Sequence, residues 1–233
     1  MKESIILTIG ITSYNRVAEL ERCLKSIDTK YYNNIEIVIS EDKSPKKKLI
    51  KDIVINYGKD SKYFIQFNSN NNNLGYDNNL KKIIDLSKGI YILLMSDDDI
   101  FNPGQLDILI NELLKCQSYG LVYTGFCFEN KETRRLYESA YKIPKGEKYI
   151  SKHIYDSILF SGLVFNRLLV KDISAKRFLN TNYFQVYLFL YSGFIKGGYY
   201  LNIPLIQCIG DGENGYGLSE SSIKNELLAN RKS

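Results

Sequence analysis

Gly89-Ile90-Tyr91-Ile92-Leu93-Leu94-Met95-Ser96-Asp97-Asp98-Asp99 decides the fold. The apolar run that ends at Met95 reads as a buried strand, bounded in front by Gly89. The three acids that follow repel one another and lose hydration on burial. A divalent cation bound there relieves both penalties and can hold a phosphate group in turn. The stretch therefore points to metal-assisted chemistry on a substrate that carries a nucleotide.

The same strand-then-polar-loop pattern recurs upstream. Ile5 to Ile11 reads as a strand broken by Thr12-Ser13-Tyr14-Asn15, and Val17, Leu20, Leu24 and Ile27 then repeat near the helical period. Ile35 to Ile39 forms the next strand and ends in the polar loop 40–45. Leu49, Ile50, Ile53 and Val54 predict a second helix, and Tyr63 to Phe67 a third strand. Asn68 through Asn73 holds five Asn and one Ser, with Gly75 just beyond, and reads as a loop between ordered elements. Leu80, Ile83 and Ile84 mark a third helix. Pro103 fits an early helical position ahead of Leu106, Leu109, Ile110 and Leu113.

Strand and helix alternating in this way predict an α/β domain with a mostly parallel central sheet flanked by helices. Loops 12–16, 40–45, 68–75 and 96–99 all follow strand carboxyl ends, where ligands bind in such sheets. The first strand is not followed by Gly-x-Gly-x-x-Gly, and no run ends in Gly-Lys-Ser/Thr. A dinucleotide oxidoreductase and a P-loop enzyme are therefore disfavoured.

The chain has 233 residues, 44% of them hydrophobic, which is enough for one substantial core. Its formal net charge is +5, and part of that sits in Lys46-Lys47-Lys48. Such a run reads as a solvated face, or as attraction to an anionic substrate, a glycan or a membrane surface. No long basic stripe or zinc-finger pattern points to nucleic acid. Cys23, Cys116, Cys127 and Cys208 form no Cys-x-x-Cys pair, so reduced thiols and a cytoplasmic setting are expected. No stretch of about 18 apolar residues predicts a membrane span.

Four blocks resemble the family 2 nucleotide-sugar glycosyltransferases, a GT-A group that builds bacterial surface polysaccharides. They are Ile11-Thr12-Ser13-Tyr14-Asn15-Arg16, Ile37 through Ser44, Asn73-Leu74-Gly75-Tyr76-Asp77-Asn78-Asn79, and Gly89 through Asp99. Their order and spacing match over roughly residues 4–115. The resemblance implies a GT-A fold, with residues 1–118 binding the donor. Residues 119–233 would form a smaller, irregular acceptor part with a C-terminal loop or helix. It places Thr12, Tyr14 and Arg16 around the base and diphosphate. Asp42 would accept a hydrogen bond from the base, with Glu41 close by. Asn73, Gly75 and Asn78 belong to the donor loop. Asp97 and Asp98 would face the ribose and diphosphate, and Asp99 would be the main ligand of Mn²⁺ or Mg²⁺, with Asp97 assisting.

The implied reaction moves a sugar from a nucleotide-diphosphate donor, UDP favoured, to a glycan or lipid-linked saccharide. Inversion at the anomeric carbon is expected, at the inner face of the cell membrane if the protein associates with it peripherally. Inverting members carry an acidic base before a helix in the second half, but the matching segment, Asn180 to Gln185, holds no acid. Asp211 and Glu213, in a Gly-rich loop, are the substitutes to test, ahead of Asp156 and Asp172. His153, the only histidine, is the other candidate, as a residue type that exchanges protons near neutrality. Tyr183, Phe184, Tyr187, Leu188 and Tyr191 recur like a helix face and predict packing. A sugar-phosphate nucleotidyltransferase and a non-enzymatic glycan-binding module are the rival readings. The first would carry a Gly-rich N-terminal loop with a basic residue, and the second would ignore nucleotides.

Overall fold

The computed structural model describes residues 4–115, 118–130, 132–173 and 176–209. In the first half the elements are β1 (Leu7–Ser13), α1 (Val17–Ser26), β2 (Ile35–Glu41), α2 (Lys47–Asp60), β3 (Phe64–Ser69), α3 (Tyr76–Leu86), β4 (Tyr91–Ser96), β5 (Ile100–Phe101) and α4 (Gln105–Lys115). The second half adds β6 (Leu121–Phe128), β7 (Thr133–Arg134), β8 (Tyr141–Ile143), α5 (Glu147–Ile150), β9 (Leu163–Asn166), α6 (Arg167–Lys171), α7 (Phe184–Lys196) and β10 (Gly198–Cys208).

All strands join one sheet in the order β3-β2-β1-β4-β9-β6-β10-β5, with β7 on β6 and β8 on β10. The first four are parallel, as the alternating pattern predicts. The expectation of a mostly parallel sheet fails beyond β4. Strand β9 enters antiparallel to both β4 and β6, and β10 runs parallel to β6 but antiparallel to β5 and β8. Apolar periodicity reports which face a strand buries but carries no direction, so this reversal has no signature in the sequence. The sheet is mixed, and it is continuous across residue 118.

Burial on both faces explains the unbroken apolar run of β4 from Tyr91 to Met95, while in β1 and β2 the buried Thr8 hydroxyl donates to Glu36 Oε1 at 2.6 Å. Leu93 and Met95 point into the core under α1, α2 and α4, where Leu20, Ile50 and Leu109 meet them. Ile92 and Leu94 point to the opposite face, against Leu80 and Ile83 of α3 and Leu188 of α7. Gly10 lets α3 lie close on β1, because a Cβ there would stand 2.3 Å from the Ile83 side chain. Among the described residues no helix is long and apolar enough to cross a membrane.

Two helix starts matter for the site. Helix α3 begins after Gly75, whose φ of +77° with ψ of 168° is a conformation that only glycine holds without strain. Helix α7 gets no capping bond from its own Tyr183 side chain. Asp77 of α3 supplies it instead: Oδ2 accepts from the backbone N–H of Thr181 at 2.7 Å and Asn182 at 2.8 Å, and Oδ1 from Phe184 at 3.1 Å. Asn180 and Asn182 hold positive φ within this turn. The first and second halves of the chain are thus tied at one buried carboxylate.

Candidate active site

Strand register gathers the four polar loops. Thr12 lies half-buried at the end of β1, opposite Ser40 on one side and Ser96 on the other. Glu41 in turn pairs with Ser69. The loops after β1, β2, β3 and β4 therefore share one edge, where sequence analysis put them.

The acids form a buried corner. Asp97 and Asp99 are almost wholly buried and Asp98 is half-buried. Arg16 reaches across from the first loop, its Nη1 lying 3.1 Å from both Asp97 Oδ1 and Asp98 Oδ2. Exposed Tyr14 donates its backbone N–H to Asp97 Oδ2 at 3.3 Å. Ser96 Oγ bonds Asp98 Oδ1, and Arg22 donates to the Asp98 carbonyl at 3.1 Å. Asp99 looks the other way. It accepts from Ser161 Oγ at 2.6 Å, and the Ile209 backbone and Cys208 side chain bond it as well. Arg16 is thus the counter-ion of Asp97 and Asp98, a role beyond the diphosphate contact the resemblance implies.

Burial raises both inner acids. Asp97 is pushed from 3.8 to about 7 by desolvation, with Arg16 opposing and Asp98 adding to the rise. Asp99 reaches about 7 through desolvation and the charge on Asp98, opposed by the Ser161 bond. Cys23, packed under the corner, is raised by burial and then by the same acids, so its thiol stays protonated.

The upward shifts fix a sign. Between the ordinary carboxylate range and neutrality the folded state holds protons that the unfolded chain has released. This contribution to stability is full below about pH 4 and disappears as pH climbs through about 7. In a chelating buffer, the unfolding temperature of the native chain minus that of Asp99→Asn is expected to fall steadily from about pH 5 to 7.5. A difference that stays flat across that range refutes the shift.

The second and third loops are locked together. Asp42 is buried, and its Oδ1 accepts from Asn70 Nδ2 at 2.9 Å and the Leu74 N–H at 2.8 Å. Its Oδ2 accepts from the Gly75 N–H at 2.9 Å, which Asn73 Oδ1 shares at 3.0 Å. Glu41 braces the neighbouring turn through the Ser44 N–H and Ser69 Oγ. Asn70 also bonds Asn79 Oδ1 at 3.0 Å, and Asn79 reaches the Ser40 carbonyl. The asparagine run is therefore partly a buried network, with Asn70 and Asn79 as members that sequence analysis did not assign. Asn78 bridges the Leu74 carbonyl and Asn180 Oδ1, joining the loop after β3 to the turn before α7.

Of the base candidates, Asp211 and Glu213 lie outside the described residues. His153 and Asp156 come together, with Nδ1 3.2 Å from Asp156 Oδ2 and 3.0 Å from the Tyr123 hydroxyl. Tyr137 donates to both Asp156 oxygens. Burial comes first in pushing the Tyr123 and Tyr137 phenols upward. The pair is thus knitted into a tyrosine cluster, while Asp172 stands exposed at the end of α6.

Among the described residues no three His, Cys, Asp or Glu side chains converge as a ready-made metal cage. The corner fits a different arrangement. Magnesium-type ions take one or two carboxylates and complete their shell with water and substrate phosphates. A carboxylate has about four acceptor positions. Asp99 meets three donors, and none of them carries a full positive charge. Asp97 is already matched by Arg16.

Comparison with known proteins agrees with this geometry. The chain is 28% identical over 172 residues to the GalNAc(5)-diNAcBac-PP-undecaprenol beta-1,3-glucosyltransferase of Campylobacter jejuni, covering 74% of this chain and 54% of that protein. It is 28% identical over 158 residues to an uncharacterized glycosyltransferase of Rickettsia typhi, covering 67% and 46%. The chain thus spans about half the length of the curated relatives it matches. Among solved structures, S. aureus TarS 1-349 superposes with a TM-score of 0.68 at 16% identity, covering 88% of this chain and 60% of that one. The mannosyltransferase PcManGT of Pyrobaculum calidifontis, in complex with GDP-Man and Mn²⁺, gives 0.60 at 15% identity, covering 90% and 58%. At such identities these two establish a shared fold. The family model for glycosyl transferase family 2 aligns with residues 8–177, a span that runs from β1 beyond α6 and takes in all four loops of the site. The chain therefore belongs to glycosyl transferase family 2.

Proposed function

We propose that the protein transfers a sugar from a nucleotide-diphosphate donor to a glycan or lipid-linked saccharide, with Mn²⁺ or Mg²⁺ at the acid corner. The observation that carries this reading is the buried Asp97-Asp98-Asp99 turn, set against the loops of Thr12–Arg16 and Asp42 at one sheet edge. UDP is the first donor to test, because TarS has been solved in complex with UDP and with UDP-GlcNAc. The Campylobacter relative's name describes a glycosyl transfer to an undecaprenol-linked glycan, which supports a lipid-linked acceptor.

A divalent cation, when bound, supplies positive charge against the nucleoside diphosphate as it departs. The chain's own residues do the rest. Asp99 offers the carboxylate that would hold the ion, while Arg16 keeps Asp97 and Asp98 from repelling each other. Asp42 fixes the Leu74–Gly75 backbone at the sheet edge where the donor would lie. Thr12 and Tyr14 would contact the base and diphosphate. We assign inversion to the reaction, with Asp211 or Glu213 as base and His153 as the alternative.

A donor-hydrolysis screen across UDP-, dTDP- and GDP-sugars with either ion tests the reading, together with calorimetry of UDP with and without Mn²⁺. Slow nucleotide release from one donor class and Mn²⁺-dependent binding are expected. Binding of oligosaccharide with no response to any nucleotide would instead favour a glycan-binding module. Turnover of a sugar phosphate with a nucleoside triphosphate would favour a nucleotidyltransferase.

A further inference from the structure

Asp99 lies on the donor side, yet the donors that orient it come from the acceptor half: Ser161, Cys208 and Ile209. Ser161 is the best placed of them. It is fully buried in the turn before β9, and its Oγ donates to Asp99 Oδ2 at 2.6 Å while accepting from the Ser96 N–H at 3.2 Å. One hydroxyl therefore spans the first and last residues of the Ser96–Asp99 turn. The turn around Ser161 is pinned on both sides. The Gly162 N–H donates to the Leu94 carbonyl at 3.1 Å. Arg135 Nη2 donates to the Ser161 carbonyl at 3.4 Å, and its Nη1 to the Asp156 carbonyl at 2.6 Å. The Arg135 guanidinium stacks 4.7 Å from the Phe126 ring centroid, which holds it in place.

We propose that Ser161 is a positioning residue for Asp99. Its hydroxyl occupies one carboxylate oxygen and fixes the rotamer, so that the acceptor half sets the geometry of the ion and diphosphate corner. This inference rests on the metal-dependent reading above and adds a residue to it. A short hydroxyl-to-carboxylate bond in a water-free site is strong and directional. Without it only the weaker Cys208 contact and the Ile209 backbone bond orient Asp99.

The test uses Ser161→Cys, which keeps nearly the same volume but donates weakly, with Ser161→Ala in parallel so that a folding defect in one leaves the other. Calorimetry measures UDP binding with Mn²⁺ and in chelator, and the readout is the increment that Mn²⁺ adds. Both variants are expected to lose about tenfold of that increment, the scale of one lost hydrogen bond to a charged group, while binding in chelator stays unchanged. Donor KM should rise with acceptor KM steady, and Ser161→Thr, which restores the hydroxyl, should recover the increment. An increment equal to that of the native chain overturns the proposal, as does an equal loss with and without Mn²⁺. Absence of any increment in the native chain overturns the metal-dependent reading and this inference together. An increment present in the native chain and intact in both variants overturns this inference alone.

Discussion

Asp99→Asn is expected to abolish sugar transfer and leave the fold standing. The carboxylate is buried with only 5% exposure, and burial has raised it to about 7, so its charge is a burden to the folded chain. Asparagine has nearly the same shape and keeps an oxygen that can accept from Ser161 Oγ. Removing the charge therefore leaves stability equal or higher at neutral pH. The chemical step loses its main anchor for positive charge. Removing one preorganised electrostatic contact from a transition state costs about 10²–10³ in rate, roughly 3–4 kcal/mol. Turnover of the donor identified by the screen, set beside the unfolding temperature in chelator, measures both halves of this expectation. Full activity in the variant would remove Asp99 from the mechanism.

Asp77→Ala should produce a clear loss of stability from a single polar side chain. One carboxylate satisfies three backbone N–H groups, at Thr181, Asn182 and Phe184, and it is 1% exposed. Truncation leaves those donors without an acceptor at the start of a largely buried helix. An unsatisfied buried donor costs about 1–3 kcal/mol, and because only Phe184 is buried while water can reach Thr181 and Asn182, a total of about 2–3 kcal/mol is expected. Domains of this kind are stable by only about 5–15 kcal/mol. Urea unfolding reads the result as a lower midpoint. Asp77→Asn, which keeps acceptor capacity on one atom, should fall between. A midpoint within error of the native chain would show that the turn before α7 is held by other contacts.

Much of the first half of the chain was legible in the sequence. Continuous apolar runs betray strands buried on both faces, and the breaks at Thr12, Ser40 and Ser96 mark where each strand leaves the core. Helices α1, α3 and α4 followed from their apolar spacing. The site residues at these breaks are side by side because parallel strands in register must end together. What stayed hidden depends on partners far along the chain. The resemblance sets Arg16 beside the base and diphosphate, and only the fold shows it between Asp97 and Asp98. Asp77 sits inside a quoted block, but its task concerns residues more than a hundred positions away. Ser161 precedes an unremarkable strand, and nothing local links it to Asp99. The asparagine run signals a loop through its composition, yet the burial of Asn70 comes from Asp42 and Asn79.

The insertion of β9 between β4 and β6 bears on how the chain comes to be folded at all. As the protein emerges from the ribosome, β1 to β4 can pair early, but β4 keeps an open edge until β9 is made. That edge carries unpaired backbone groups beside Ile92 and Leu94, and a second nascent chain could add to it. Closure depends on strands distant in sequence, which slows assembly relative to the local α/β units. The acid corner is therefore completed late, when the turn carrying Ser161 and the end of β10 arrive against it.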